Sequence, residues 1–187
     1  MNDEQTLIEQ AKHNPEAFSA LYDVYFPRVY AYIAYRVGRK TDAEDLTADV
    51  FMRVVRALKG FEYRTDNAFA AWVFSIAHNA VVQFYRRLPP PALSLDDVPH
   101  IQGSAHSPES LYADQERFKH LHAMIKTLAP RRQEIVTLRY FAGLKNREIA
   151  QVLGLDERTV ASHLSRALDD LQRGYERELG ADYEIER

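Results

Sequence analysis

The 187-residue sequence contains no cysteine, one tryptophan and seven glycines. The absence of cysteine excludes disulfides, thiolate zinc sites and thiol nucleophiles, and it is typical of proteins that work in a reducing compartment. The sequence also lacks any apolar run near the ~18 residues of a membrane span, and its first residues are acidic rather than basic. We therefore expect a cytoplasmic protein with no membrane insertion.

An excess of positive charge is missing as well, since the net charge is −3 and the pI is about 6.2. Free-standing DNA-binding proteins usually carry a basic excess, so strong DNA binding by this chain alone is not indicated. Residues 88–116 carry five acidic side chains and no basic one, whereas residues 131–177 carry nine basic and seven acidic side chains. What is abundant is apolar: 46% hydrophobic residues, including the 11% that are aromatic, predict a folded chain.

Proline divides the chain into two parts. Five of the eight prolines lie within residues 88–111, which show no sustained periodicity and predict a flexible, acidic linker. Helical periodicity on both sides, without convincing strand alternation, predicts an all-α protein of two small helical domains. The domains are expected at 1–87 and 112–178, followed by an acidic, frayed tail at 179–187.

The segment 42–58, DAEDLTADVFMRVVRAL, is predicted to be an amphipathic helix with an unusual outer face. At 100° per residue, one side carries a core-facing stripe that includes Leu46, Val50 and Val54. The opposite side collects Asp42, Asp45, Asp49, Met52, Arg53 and Arg56. Three carboxylates beside an exposed methionine suggest a surface made for a partner.

Residues 146–172 have the spacing of a helix-turn-helix. Ala150 is small where two helices cross, Gly154 suits the positive φ of a tight turn, and Val160 anchors the second helix. Asp156 is a predicted N-cap of that helix. The side chains expected to face inward are Val160, Leu164, Leu168 and Leu171. The outward set includes Arg158, Ser162 and Arg166, which suit a major groove, although a solvated helical hairpin would show the same pattern.

A third helix is predicted at 68–87, preceded by a loop at 60–67. Its polar face carries Trp72, Ser75, Asn79, Gln83 and Arg86. Amide side chains can read base edges, and loop aromatics can stack on unpaired bases, as proteins that hold single strands do. The alternative is that these aromatics, Trp72 among them, belong to the core.

Taken together, these stretches resemble the extracytoplasmic-function group of bacterial sigma factors, the smallest sigma-70 relatives, which keep only conserved regions two and four. The resemblance covers about residues 16–87 and 116–172, and its three most specific stretches occur in the family's order. They are DAEDLTADVFMRVVRAL, AWVFSIAHNAVVQFYRR and LAPRRQEIVTLRYFAGLKNREIAQVLGLDERTVASHLSRALDDL. By this resemblance residues 1–87 form region two and residues 112–178 form region four.

The resemblance also implies roles for individual residues. The helix at 42–58 would dock on the clamp helices of the largest RNA polymerase subunit through Asp45, Leu46, Asp49, Val50, Met52 and Arg53. The residues expected at the minus-ten promoter element are Phe61, Tyr63, Asn67, Trp72, Ser75, Asn79, Gln83 and Arg86. The residues expected at the minus-thirty-five element are Arg139, Lys145, Arg147, Arg158, Thr159, Ser162, His163 and Arg166. Of these, Arg139, Lys145 and Arg147 are expected to hold phosphates.

The implied partners are core RNA polymerase, including the flap of its second-largest subunit, promoter DNA and an anti-sigma factor. No catalysis, metal or cofactor is expected. Two positions depart from the family, whose members commonly carry Arg where this chain has His78 and Asp where it has Gln83.

Two other function classes remain as alternatives. A stand-alone helix-turn-helix regulator would bind duplex DNA without polymerase, but it leaves the acidic face at 42–58 unexplained. An enzyme is disfavoured because the sequence has no HExxH motif and no phosphate-binding glycine loop. His120 and His122 would diverge by about 200° on a helix, so they cannot chelate one metal together.

Overall fold

The computed structural model describes residues 3–65, 68–87 and 120–185, with side chains in the last range as far as residue 177. Over these residues the chain is helical and contains no strand, which confirms the all-α class. The helices are α1 (Asp3–Ala11), α2 (Pro15–Val37), α3 (Lys40–Leu58), α4 (Ala68–Arg87), α5 (120–126), α6 (Pro130–Tyr140), α7 (Asn146–Leu153) and α8 (Glu157–Ile185). The predicted linker at 88–111 and Asn67 lie outside the described residues.

Helices α1 to α4 form the N-terminal unit around an aromatic core. Tyr32, Phe69 and Phe74 are at most 1% exposed, and the rings of Tyr32 and Phe74 meet edge to face at 5.9 Å. Such pairs add stabilisation beyond the apolar area that they bury. Helix α1 was not anticipated from the sequence, yet its Ile8 is fully buried in the same core.

Helices α5 to α8 form the C-terminal unit, in which α7 and α8 make the helix-turn-helix. Gly154 has φ +64° and ends α7 in the left-handed conformation, as its position predicted. Val160 is fully buried, but Leu168 is 41% exposed, so the expectation that it faces inward is wrong. Helix α8 continues to Ile185 and so includes most of the predicted tail at 179–187.

The two units pack against each other through one continuous buried cluster. Ile135 and Leu138 of α6 and Ile149 of α7 belong to the same buried cluster as Phe74 of α4. Helix α4 packs directly on α7, and α2 packs on α6. The helix-turn-helix therefore sits against the N-terminal unit in this structure.

Two further features of the described residues bear on other functions. Within them no helix is both long enough and apolar enough to cross a membrane. The same part of the chain contains no group of three or more histidine, aspartate or glutamate side chains arranged to hold a metal ion.

Candidate protein and nucleic-acid interfaces

The outer face of α3 presents carboxylates next to apolar side chains. Asp45 and Asp49 are exposed, and Met52 is 51% exposed between them and the end of the helix. Val55, one turn beyond Met52, is 46% exposed and extends the apolar patch. Sequence reasoning missed Val55, although the i, i+3 spacing from Met52 was a readable signal. The face thus combines charge with an unpaired apolar surface.

Two residues expected on this face are placed differently. Val50 is fully buried, so it cannot contact a partner while the N-terminal unit is folded, and its assignment as a docking residue is corrected. Its place in the core-facing stripe of the helix already indicated burial. Leu46 is half-buried and packs against the core, which leaves only part of its side chain to the surface.

Arg53 joins the α3 face to the polar face of α4. Its guanidinium forms an ion pair with Asp49 at 2.6 Å, and its Nη1 donates to Oε1 of Gln83 at 3.3 Å. The acidic α3 face and the α4 face are therefore one connected surface. From the sequence they were predicted to be two separate surfaces.

On α4, three of the predicted side chains are exposed on one face: Asn79, Gln83 and Arg86. Ser75 is half-buried, and its hydroxyl donates to the carbonyl oxygen of Ala71 at 2.8 Å, so it is engaged within the helix. The part of this face that is exposed and available to contact a nucleic acid is therefore its C-terminal half.

The aromatics beside α4 are mostly core. Phe61 is 8% exposed, with its ring 5.3 Å from Phe69 and 4.9 Å from Trp72, so the expectation that it stacks on a base is wrong. Trp72 is half-buried and also contacts Phe69 at 5.5 Å. A single sequence does not distinguish a loop aromatic that closes the core from one that faces solvent. Here Phe61 belongs to the buried core cluster and packs against Phe69 and Trp72 at the start of α4.

Tyr63, in the same loop, is held by a residue that sequence reasoning missed. Its hydroxyl donates to Oε2 of Glu4 at 3.2 Å, while the Tyr25 hydroxyl donates to Oε1 of Glu4 at 2.6 Å. Burial and the neighbouring Glu4 carboxylate raise the pKa of Tyr25, so its hydroxyl keeps the proton that it donates. Helix α1 thus reaches the predicted minus-ten loop through one carboxylate.

The start of α8 presents the predicted groove-reading residues. Arg158, Ser162 and Arg166 are exposed on its outer face. Asp156 caps the helix as predicted, accepting from the Thr159 amide at 2.8 Å and from the Thr159 hydroxyl at 2.5 Å. The hydrogen bonds from Thr159 lower the pKa of Asp156, which keeps the cap ionised at the positive end of the helix. The Thr159 hydroxyl is consequently used by the cap.

The remaining predicted residues of the helix-turn-helix divide into two groups. Lys145 and Arg147 are exposed at the start of α7, where they can meet phosphate. Arg139 is half-buried, and its Nη1 donates to the carbonyl oxygen of Leu144 at 3.0 Å, so it braces the turn between α6 and α7. His163 is half-buried, and its Nδ1 has no hydrogen-bond partner among the described residues.

Comparison with protein families gives two matches, in the order that the resemblance implied. The family described as Sigma-70 region 2 matches residues 21–88, and the family described as Sigma-70, region 4 matches residues 119–171. Helices α3 and α4 lie in the first match, and the helix-turn-helix lies in the second.

Among curated proteins, the chain is similar to the ECF RNA polymerase sigma factor BldN of Streptomyces coelicolor, with 36% identity over 89% of this chain and 64% of that protein. The RNA polymerase sigma-H factor of Pseudomonas aeruginosa is 28% identical over 91% of this chain and 92% of that one. The chain thus spans somewhat under two thirds of BldN and nearly the whole of sigma-H.

Two solved structures share the fold at low sequence identity. CnrH, solved in complex with the cytosolic domain of CnrY, has a TM-score of 0.71 at 22% identity and covers 94% of this chain and 98% of its own. The sigma factor RpoE of Bartonella quintana, solved with the anti-sigma factor NepR, has a TM-score of 0.61 at 20% identity and covers 83% of this chain and 94% of its own. At these identities the likeness is one of fold.

Proposed function

Because this chain belongs to the sigma-70 family of RNA polymerase sigma factors, in its extracytoplasmic-function group, we propose that it binds core RNA polymerase and directs promoter-specific initiation of transcription. The observation that carries the proposal is the outer face of α3. Exposed Asp45 and Asp49 lie beside the exposed apolar side chains of Met52 and Val55, and this combination fits a protein partner. The chain itself supplies recognition, and the polymerase supplies the chemistry.

The composition of this face suggests how it binds the clamp helices of the polymerase. Exposed ion pairs contribute about 1 kcal/mol or less each, so the two aspartates set orientation and association rate more than affinity. The apolar pair Met52 and Val55 would supply the larger share of the binding energy by burial in the interface. We expect the flap of the second-largest subunit to hold the C-terminal unit.

Promoter recognition is assigned to two separate surfaces. Asn79, Gln83 and Arg86 of α4, with the loop before it, would contact the minus-ten element. Exposed Arg158, Ser162 and Arg166 at the start of α8 would read the minus-thirty-five element in the major groove. Lys145 and Arg147 at the start of α7 would hold phosphates.

Regulation by an anti-sigma factor belongs to the same proposal, because the structural neighbour RpoE was solved with the anti-sigma factor NepR. We place the protein in the cytoplasm, where core polymerase works. A stand-alone helix-turn-helix regulator would bind operator DNA in the absence of polymerase, whereas a sigma factor would not. An assay of duplex DNA binding without polymerase therefore distinguishes the two functions.

The test is a pull-down of the purified chain with bacterial core polymerase, followed by run-off transcription from a genomic promoter library. The double variant Asp45→Arg/Asp49→Arg should lose polymerase binding and keep its helical content by circular dichroism. The matched control is Glu16→Arg/Asp23→Arg, which makes the same charge change at two exposed positions of α2. Equal polymerase affinity of the two double variants would refute the docking assignment. Specific duplex binding by the chain alone, without polymerase binding, would favour the regulator.

A further inference from the structure

The side-chain amide of Gln83 on α4 is oriented by Arg53 on α3. The Arg53 guanidinium is itself held by an ion pair with Asp49 at 2.6 Å, and its Nη1 donates to Oε1 of Gln83 at 3.3 Å. A guanidinium has N–H donors and no acceptor, so only the oxygen of an amide can face it. The oxygen of Gln83 is therefore turned toward Arg53, and its NH2 group, with two donor protons, is turned away.

This orientation gives the position a defined hydrogen-bonding character. A freely rotating glutamine offers a donor and an acceptor together, which is the combination that pairs with N6 and N7 of adenine. When the oxygen is engaged by a guanidinium, the group left for another partner is a donor. A donor suits the carbonyl oxygens O6 of guanine and O4 of thymine, whereas adenine and cytosine carry amino groups at the corresponding edge.

The neighbouring side chains favour a base over a phosphate as the partner of this donor. Arg86 and Arg87 are exposed one turn further along α4, and charged guanidiniums bind phosphate more strongly than a neutral amide does. Asn79 is exposed one turn before Gln83, so two amides lie next to each other on the face. Amides are a residue type that pairs with base edges, while contacts to phosphate fix the position of the strand.

We propose that Gln83 determines base specificity at one position of the minus-ten element and that Arg53 is its positioning residue. Held by Arg53, the Gln83 amide selects guanine or thymine over adenine or cytosine. The inference rests on the proposed function. It also gives a consequence to Gln83, where the family commonly carries aspartate. A carboxylate would accept the same bond from Arg53, but it has no proton to donate to a base.

Two substitutions separate the donor from the residue that orients it. Gln83→Glu keeps the length of the side chain and can still accept from Arg53, but its ionised carboxylate only accepts. Arg53→Met removes the guanidinium and keeps an unbranched side chain, so the amide is free to rotate. The matched control is Arg39→Met. It removes an arginine at the other end of α3 that also pairs with an aspartate of that helix, Asp42, at 3.7 Å.

The orientation of the amide can be measured in the free protein, without polymerase. Nitrogen relaxation of the Gln83 NH2 group by NMR reports how well the side chain is ordered on the picosecond to nanosecond timescale. Arg53→Met should lower this order, and Arg39→Met should leave it unchanged. Equal order in the unmodified chain and in Arg53→Met would show that Arg53 does not hold the amide, and would overturn the proposal.

Base selection is measured with core polymerase carrying each variant, bound to single-stranded minus-ten oligonucleotides that present each of the four bases at each position in turn. Comparison of bases within one complex cancels any change in polymerase affinity, which matters because Arg53 also lies on the docking face. The unmodified chain and Arg39→Met should prefer guanine or thymine severalfold at one position. Arg53→Met should lose most of that preference.

The sharpest outcome is expected for Gln83→Glu, which should reverse the preference because a carboxylate accepts from the amino group of cytosine or adenine. An equal loss of affinity for all four bases in this variant would indicate a phosphate contact and would overturn the proposal. If Arg53 orders the amide but the chain binds no polymerase, the proposed function fails and base selection fails with it. Polymerase binding without a base preference that depends on Gln83 would overturn this inference alone.

Discussion

The N-terminal and C-terminal units differ in how each completes its core. The N-terminal unit is built around aromatic side chains, with Tyr32, Phe69 and Phe74 all buried. The C-terminal unit buries mainly aliphatic side chains, and its cluster around Ile125 includes Tyr35 from the other unit. Small units bury a smaller fraction of their surface and are correspondingly marginal. The comparison indicates that the folding of the second unit depends more on its neighbour than the folding of the first unit does.

The largest expected effect is unfolding of the C-terminal unit while the N-terminal unit stays folded. Val160→Asp places a carboxylate at a fully buried position of α8, and an unpaired buried charge should cost about 4 kcal/mol. Amide hydrogen exchange should show loss of protection in α6, α7 and α8, with α1 to α3 still protected.

The matched control for this variant is the next residue along the chain. Ala161 is exposed, so Ala161→Asp introduces the same charge on the same helix without burying it. It should leave the exchange pattern unchanged. Uniform loss of protection across both units in Val160→Asp would show that they unfold as one cooperative body. That result would contradict the difference drawn between the two units.

A smaller effect is expected on the DNA-reading side of the same unit. Arg158→Ala removes an exposed guanidinium at the start of α8, and a base-reading arginine contributes about 1–3 kcal/mol of discrimination. Footprinting of the polymerase complex should lose upstream protection, while protection near the start site persists. Arg177→Ala, an exposed arginine far along the same helix, serves as the control and should keep both. Undiminished upstream protection in Arg158→Ala would contradict the assignment.

Local features of both units were predictable because they depend on short stretches of chain. The helix at 68–87 is found with its predicted ends, and Gly154 and Asp156 form the turn and the cap that their residue types favour. Periodicity also indicates which face of a helix is apolar. For Val50 it was the better guide, since the residue lies in the core although the resemblance placed it on the docking face.

Features that depend on contacts distant in sequence were not predictable. Apolar patterning indicates that Tyr35 is buried. It does not indicate that the residues that bury Tyr35 come from α5 to α8, some 90 residues later in the chain. The contacts of Phe61 and Glu4 were not predicted for the same reason, because they depend on which residues pack against each side chain in the folded chain. The docking of the two units is thus the part of the structure that periodicity and motif spacing miss.

The Glu4 bridge offers a test confined to the N-terminal unit. Glu4→Gln keeps the side-chain shape but removes the charge that strengthens the bonds from Tyr25 and Tyr63, at a cost of about 1 kcal/mol. If Glu4 positions the loop at 60–65, base preference at the minus-ten element should relax in run-off assays with substituted promoters. Glu9→Gln, on the exposed side of α1, is the control. Unchanged base preference with lowered thermal stability would leave Glu4 a purely structural role.

The smallest effect concerns acid pH at the junction of the units. Burial alone would raise the pKa of Glu134, but the hydrogen bond and charge of His78, with Arg36 and Arg131, outweigh it and lower that pKa below its usual 4.5. A carboxylate with a lowered pKa contributes stability above about pH 4.5 and loses it as the pH falls through the folded-state value. Between pH 5 and 3, the free energy of unfolding from denaturant titration should therefore fall more steeply for the unmodified chain than for Glu134→Gln. Glu16→Gln, at an exposed position, should keep the slope of the unmodified chain, and equal slopes for Glu134→Gln and the unmodified chain would show that the Glu134 contacts do not stabilise the junction.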